Sequence, residues 1–143
     1  CGAVIEVRAR GVNIDGSGWS IGIEYPNFNS NRENSIHNAY KVLELIDVSI
    51  ATSGNYRNYF ISDEKSYSHI ISPITGHPVE NNIESVSVIS KECINADALA
   101  TALLVMGASL GMELVENLEG YEALFIFNDN LSLESSGFKD FVF

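Results

Sequence analysis

Apolar and polar positions alternate along most of this chain and take up helical spacing only after its midpoint. "AVIEVRAR", Ala3 to Arg10, is apolar and β-branched and predicts a strand, closed by the Asp-Gly turn within "NIDGSG". "WSIGIE", Trp19 to Glu24, alternates and is expected to pair with that first strand as a hairpin. The Asn-rich run "YPNFNSNRENSIHNAY" reads as a solvated connection. "KVLELIDVSI", Lys41 to Ile50, is strand-like, and "ATSGNYRNYF" sets a Ser-Gly-Asn turn before an aromatic strand, Tyr56 to Ile61. "SDEK" turns that strand back into "SYSHII", and "SVSVIS", Ser85 to Ser90, alternates as a half-buried strand should.

"NADALATALLVMG" then changes the period. Asn95 is placed to cap a helix and Gly107 to stop it, with Leu99, Leu103 and Met106 at spacings that face a core. Ser109 is expected to cap a second helix that Gly120 ends. "EALFIF" predicts a buried strand, "NDN" a turn and "FKDFVF" a closing strand. These elements describe one α+β domain over residues 1–143: a mostly antiparallel sheet with two consecutive helices packed on one face.

Composition narrows the function. Of 143 residues 45% are hydrophobic, enough for a core, and the formal net charge is −11. A surface of that sign repels phosphate polymers, and no Lys/Arg run offsets it, so nucleic acid is excluded as an expected partner. A phosphate-bearing ligand would need a metal ion or backbone N–H groups. Cys1 and Cys93 have no zinc-type spacing, no apolar run reaches eighteen residues, and the opening residues show no basic-then-apolar leader pattern.

Chemistry has few places to sit. Asp97 and Thr101, at i and i+4, project from one helix face and offer hard oxygen donors suited to Mg²⁺ or Ca²⁺. The same two residues are equally at home as a dipole-facing carboxylate and a hydroxyl bonded one turn back. His69 is either a base or a satisfied strand histidine. "SPITGHP" is a turn stiffened by Pro73 and Pro78 around Gly76, with His77 on its surface. "TSGNY" can present amides to an anion or merely turn the chain, and Tyr56, Tyr59, Phe60 and Tyr67 can stack on a planar ring or fill a core.

In order, "ATSGNYRNYF", "YSHIISPITGHPV", "SVSVIS", "INADALATALLVMG" and "EALFIF" resemble the ApbE-type flavin transferase family, whose strings read A-T-S-G-D-Y, H-I-I-D-P-x-T-G-x-P and A-D-A-L-A-T-A-L. The likeness extends from "WSIGIEYP" to the final "SSGF". It implies transfer of FMN from FAD to a threonine hydroxyl of an acceptor flavoprotein, with release of AMP and dependence on Mg²⁺. It implies Asp97 and Thr101 as metal ligands, His69 as the base or positioning group, and Ser53, Gly54, His69, Ile70, Thr75 and Gly76 as the cofactor-binding set. By the same likeness the chain is the C-terminal part of a T-fold-like enzyme about twice as long. The N-terminal half of its own parent chain then supplies a glycine-rich segment, and the setting is the cell envelope or periplasm. A flavin- or metal-binding member without transfer, an FAD hydrolase, or a structural half needing its missing segment are the alternatives. Three departures stand out: Cys1 for a usual Gly, Ala3 for Asn or Asp, and Ser72 for a frequent Asp beside the expected base.

Overall fold

The computed structural model describes residues 5–24, 39–54, 59–62, 65–68 and 70–143. Its centre is β7 (Ile83–Ser90), flanked in an all-antiparallel sheet of order β1-β4-β7-β8-β9. The neighbours are β1 (Ile5–Arg8), β4 (Ser49–Gly54), β8 (Glu122–Phe127) and β9 (Ser132–Glu134). One face carries α1 (Cys93–Met106) and α2 (Ala108–Glu116), as the period change predicts. Val86, Val88, Ala123 and Phe125 point into this layer and meet Ala96, Ala100, Leu103 and Leu104. The other face is covered by a separate ribbon, β2 (Trp19–Glu24) with β3 (Ala39–Leu45). There Ile23, Leu43 and Leu45 pack with Ile50, Ile89, Leu124, Ile126 and Phe138. A third pair, β5 (Tyr59–Ser62) with β6 (Lys65–Ser68), forms the hairpin that "SDEK" predicts. Among the described residues no helix is long and apolar enough to cross a membrane.

Several expectations change. β7 is not half-buried: seven of its eight residues are buried, because helices cover one face and the ribbon the other. Its serines survive burial by pairing, Ser87 Oγ with Thr52 Oγ1 at 2.8 Å and Ser90 Oγ donating to the Glu92 carbonyl at 2.7 Å. β1 pairs with β4, Ile5 opposite Thr52 and Arg8 opposite Ser49, and not with β2. The intervening turn closes on itself, Asn13 Oδ1 accepting from the amides of Asp15 and Ser17, and so leaves the next strand's partner open. Lys41 to Ile50 is not one strand either. The chain breaks at Asp47, whose φ of 54° is left-handed and whose carboxylate accepts from the Gly11 amide at 2.8 Å. That bend carries the backbone from the ribbon into the main sheet.

The helices start earlier than their capping residues suggest. α1 begins at Cys93, with no side-chain cap at Glu92. Arg8 instead reaches over from β1, donating to the Lys91 carbonyl at 2.6 Å and pairing with Glu92 at 3.2 Å. Gly107, at φ 84°, ends α1 as expected and is also the residue from which α2 starts, so Ser109 is not its cap. α2 stops at Glu116, short of Gly120, which sits at φ 82° in the turn beyond. Leu103 is buried and Leu99 partly so, but Met106 is 41% exposed. "FKDF" is a 3₁₀ turn and not a strand: it buries Phe138 and half-buries Phe141, three residues on, on the ribbon side. The strand at this end is the unpredicted "SLE" of β9.

Candidate functional site

Helix α1 organises the site. Its buried stripe is built of small and branched residues, Ala96, Ala100, Leu103 and Leu104, so the helix lies close on β4 and β7. Asp97 and Thr101 fall one turn apart at the edge of that stripe, both partly buried. Beneath them runs β4, whose alternation sends Ala51 and Ser53 toward the helix and Ile50 and Thr52 toward the ribbon. Ser53 is 3% exposed, and its Oγ shares a 2.8 Å hydrogen bond with Thr101 Oγ1. Gly54, the last residue of β4, lies half-buried beside it.

The "SPITGHP" turn is a separately braced object. Ile71 bridges to Pro78, the Ser72 amide donates to the His77 carbonyl and the Gly76 amide to the Ser72 carbonyl, each of these two bonds 2.9 Å. Gly76, at φ 69°, supplies the left-handed step. Ser72 Oγ accepts from the Ile74 amide at 3.3 Å, and Thr75 Oγ1 from the His77 amide at 3.3 Å. At position 72, where the resemblance leads one to expect aspartate, the serine hydroxyl supplies the oxygen acceptor that turn amides need. Ile70 accepts from the Val79 amide at 2.9 Å, holding the two arms together.

Between this turn and the end of α1 lies a cleft of about 500 Å³, lined among others by Ser72, Thr75, His77, Asn81, Val105 and Met106. Asn81 fastens its floor, donating to the Leu104 carbonyl at 2.7 Å and accepting from the Ile83 amide at 3.1 Å. Val105 follows Thr101 by one turn, so the cleft continues the Asp97–Thr101 row about 6 Å further along the helix. No Lys or Arg is among its described lining residues, while Glu80 is.

Of the expected site residues, Ser53 and Thr101 come together, with Asp97 one turn back on the same helix row. Thr75 and Gly76 occupy the turn at the far end of the row, with only Thr75 lining the cleft, and Ile70 sits at the turn's base. His69 lies outside the described residues, as does Tyr56. Ser53 is turned into the helix interface, bonded to the expected ligand, where a pocket-lining hydroxyl would face outward. Asn81 carries no signal of its own in the sequence. Among the described residues no three His, Cys, Asp or Glu gather as a metal site, so any cation here would draw the rest of its shell from carbonyls, water or ligand oxygens.

The sequence model of the ApbE family matches residues 3–125. The chain is 42% identical over 139 residues to an FAD:protein FMN transferase of Vibrio cholerae, covering 96% of this chain and 40% of that protein. It is 36% identical over 139 residues to the Escherichia coli protein of the same name, covering 95% and 38%. Among solved structures it is similar to an ApbE protein from Thermotoga maritima, with a TM-score of 0.79 at 30% identity, covering 95% of this chain and 42% of that one. The flavin transferase ApbE from Vibrio cholerae superposes with a TM-score of 0.72 at 40% identity, covering 95% and 41%. The chain thus spans about two fifths of the length of the curated relatives it matches.

Proposed function

The chain belongs to the ApbE family, and from that premise we propose that residues 1–143 are one domain, the C-terminal part of an FAD:protein FMN transferase. The acceptor is a flavoprotein. Its threonine oxygen forms the new bond to the FMN phosphorus, the pyrophosphate P–O bond breaks, AMP departs, and the hydroxyl proton passes to a base. The observation that carries the reading is the pairing, on one row of α1, of a carboxylate and a hydroxyl with a buried serine behind it: Asp97, Thr101 and Ser53. Hard oxygen donors at that spacing fit Mg²⁺, with Asp97 and Thr101 as its protein ligands. A divalent cation would neutralise charge gathering on the pyrophosphate oxygens.

The other residues have supporting tasks. His69 is assigned by family likeness as the group that takes or positions the acceptor's proton. Ile70 and the Thr75–Gly76 turn fix the wall on which the flavin nucleotide rests, their backbone held by the amide bonds around Ser72. With a net charge of −11 over these residues, a cation or backbone amides would have to offset the doubly charged pyrophosphate, and Asp97 and Thr101 offer donors for the cation. The test uses the complete natural protein that carries this sequence, with FAD, MgCl₂ and an acceptor flavoprotein, read by the FMN mass increment on the acceptor. Transfer should vanish with EDTA and in Asp97→Ala, which should still fold. Transfer by the Asp97→Ala protein would sink the metal assignment, and no increment at any metal concentration would sink the activity.

A further inference from the structure

We propose that Ser53 is a positioning residue whose buried oxygen accepts a hydrogen bond from the Thr101 hydroxyl and thereby turns a Thr101 lone pair outward, toward the cation. The inference rests on the reading of Asp97 and Thr101 as metal ligands and adds a requirement to it. A hydroxyl that ligates a hard cation does so through an oxygen lone pair, so its O–H must point away from the cation, toward a hydrogen-bond acceptor. A helical threonine has a ready acceptor one turn back, here the Asp97 carbonyl, and that bond selects one of its two χ1 wells. Left to that bond alone, the helix itself would set the direction of Oγ1, with no partner on the sheet to select it.

Ser53 supplies the competing acceptor. Its Oγ lies 2.8 Å from Thr101 Oγ1 and the residue is 3% exposed, so water has little access to the serine oxygen, while Thr101 is only partly buried and keeps an outward side. Its place is fixed by the sheet: Ser53 pairs with Val86 on β7, and strand alternation aims it at α1 together with Ala51. The contact joins residues 48 apart in sequence, so it exists only once helix and sheet have docked. The ligand geometry is therefore assembled by the fold, in the manner of outer-shell partners that orient metal-binding side chains.

The test titrates Mn²⁺ into the complete natural protein, with and without FAD, and follows loss of the free-ion EPR signal. Ser53→Ala should weaken Mn²⁺ binding about 10- to 100-fold, the range for losing an outer-shell partner. Thr101→Val should weaken it at least as much, and adding Ser53→Ala to Thr101→Val should change nothing more. A merely structural serine would not show that dependence on Thr101. Ser53→Cys, close in size and a poor acceptor, should reproduce the alanine result and replaces it if the alanine variant does not fold. Unchanged Mn²⁺ affinity in both Ser53 variants, or a further loss in the Thr101→Val background, overturns the role of Ser53 and leaves the cation reading standing. Absence of Mn²⁺ binding by the parent protein overturns both.

Discussion

Replacing Gly137 by alanine should cost far more than its backbone suggests. Gly137 has φ −93° and ψ −7°, which alanine adopts freely, so no conformational strain is added. The obstacle is a side chain: a β-carbon at this position would overlap Glu122 Oε1 and lie 2.7 Å from its Cδ. That carboxylate is not at liberty to move. It accepts from the Ser135 hydroxyl and from the Gly137 amide at 3.1 Å, and Ser135 Oγ in turn accepts from the Ala123 amide at 2.9 Å. Swinging it out forfeits two hydrogen bonds to a charged group, about 1.5–3 kcal/mol each. Solvation of the released, half-buried carboxylate returns part of this, as does about 0.4–1 kcal/mol from the stiffer unfolded chain. The expected net loss is about 2–4 kcal/mol, readable in urea melts followed by far-UV circular dichroism. Gly120→Ala is the counterpart: φ is 82° with nothing within 4 Å, so only left-handed strain of about 1–2 kcal/mol applies. In a Glu122→Ala background the steric obstacle is gone, and Gly137→Ala should then be nearly neutral. A loss below about 0.5 kcal/mol in the parent, or an undiminished loss in the Glu122→Ala background, would refute the reasoning.

Three further outcomes are expected. Leu103→Ala, at a fully buried position whose Cδ2 is 3.2 Å from where a Gly111 β-carbon would stand, should cost about 2–5 kcal/mol in the same melts, whereas exposed Met106→Ala should stay within about 0.5 kcal/mol. Burial pushes the Glu84 carboxyl above its ordinary 4.5, so the folded state holds that proton longer than the unfolded one and stability falls as pH rises through and above 4.5. Glu84→Gln should therefore be more stable than the parent at pH 7, with the gap closing below the ordinary value; an equal gap at both pH values would contradict the burial argument. Burial and then the Glu6 carboxylate, 3.8 Å from Sγ, raise the Cys93 thiol, so alkylation at pH 8 should be slow and should quicken in Glu6→Gln.

Local chemistry is legible in the sequence and long-range partnership is not. Gly107 stops α1 because left-handed backbone favours glycine, and that is visible in one residue. The start of α1 is hidden because its organiser, Arg8, belongs to a strand more than eighty residues away. "SVSVIS" alternates like a strand with one wet face, and only the ribbon lying over Ser87 and Ile89 makes both faces dry. "FKDFVF" is apolar enough for a strand, but Phe138 and Phe141 at a spacing of three suit a 3₁₀ turn better. At the candidate site, the i, i+4 spacing of Asp97 and Thr101 is readable. The inward direction of Ser53 is half-readable, since it shares parity with Ala51 on a strand facing an alanine-rich helix. Which hydroxyl it meets depends on docking.

On its outer side the strand that carries Ser53 pairs with β1. Among the described residues β1 (Ile5–Arg8) is the outermost strand of the sheet, pinned at its end by Arg8 on Lys91 and Glu92. Outer strands open by local fluctuations that leave a core intact, and an opening of β1 would bare the β4 backbone at Ser49–Thr52. The Ser53–Thr101 hydroxyl pair stands on that strand. A ligand that requires the pair in place would shift this opening equilibrium by mass action, and amide exchange would slow at the edge of the sheet before it slowed at the centre.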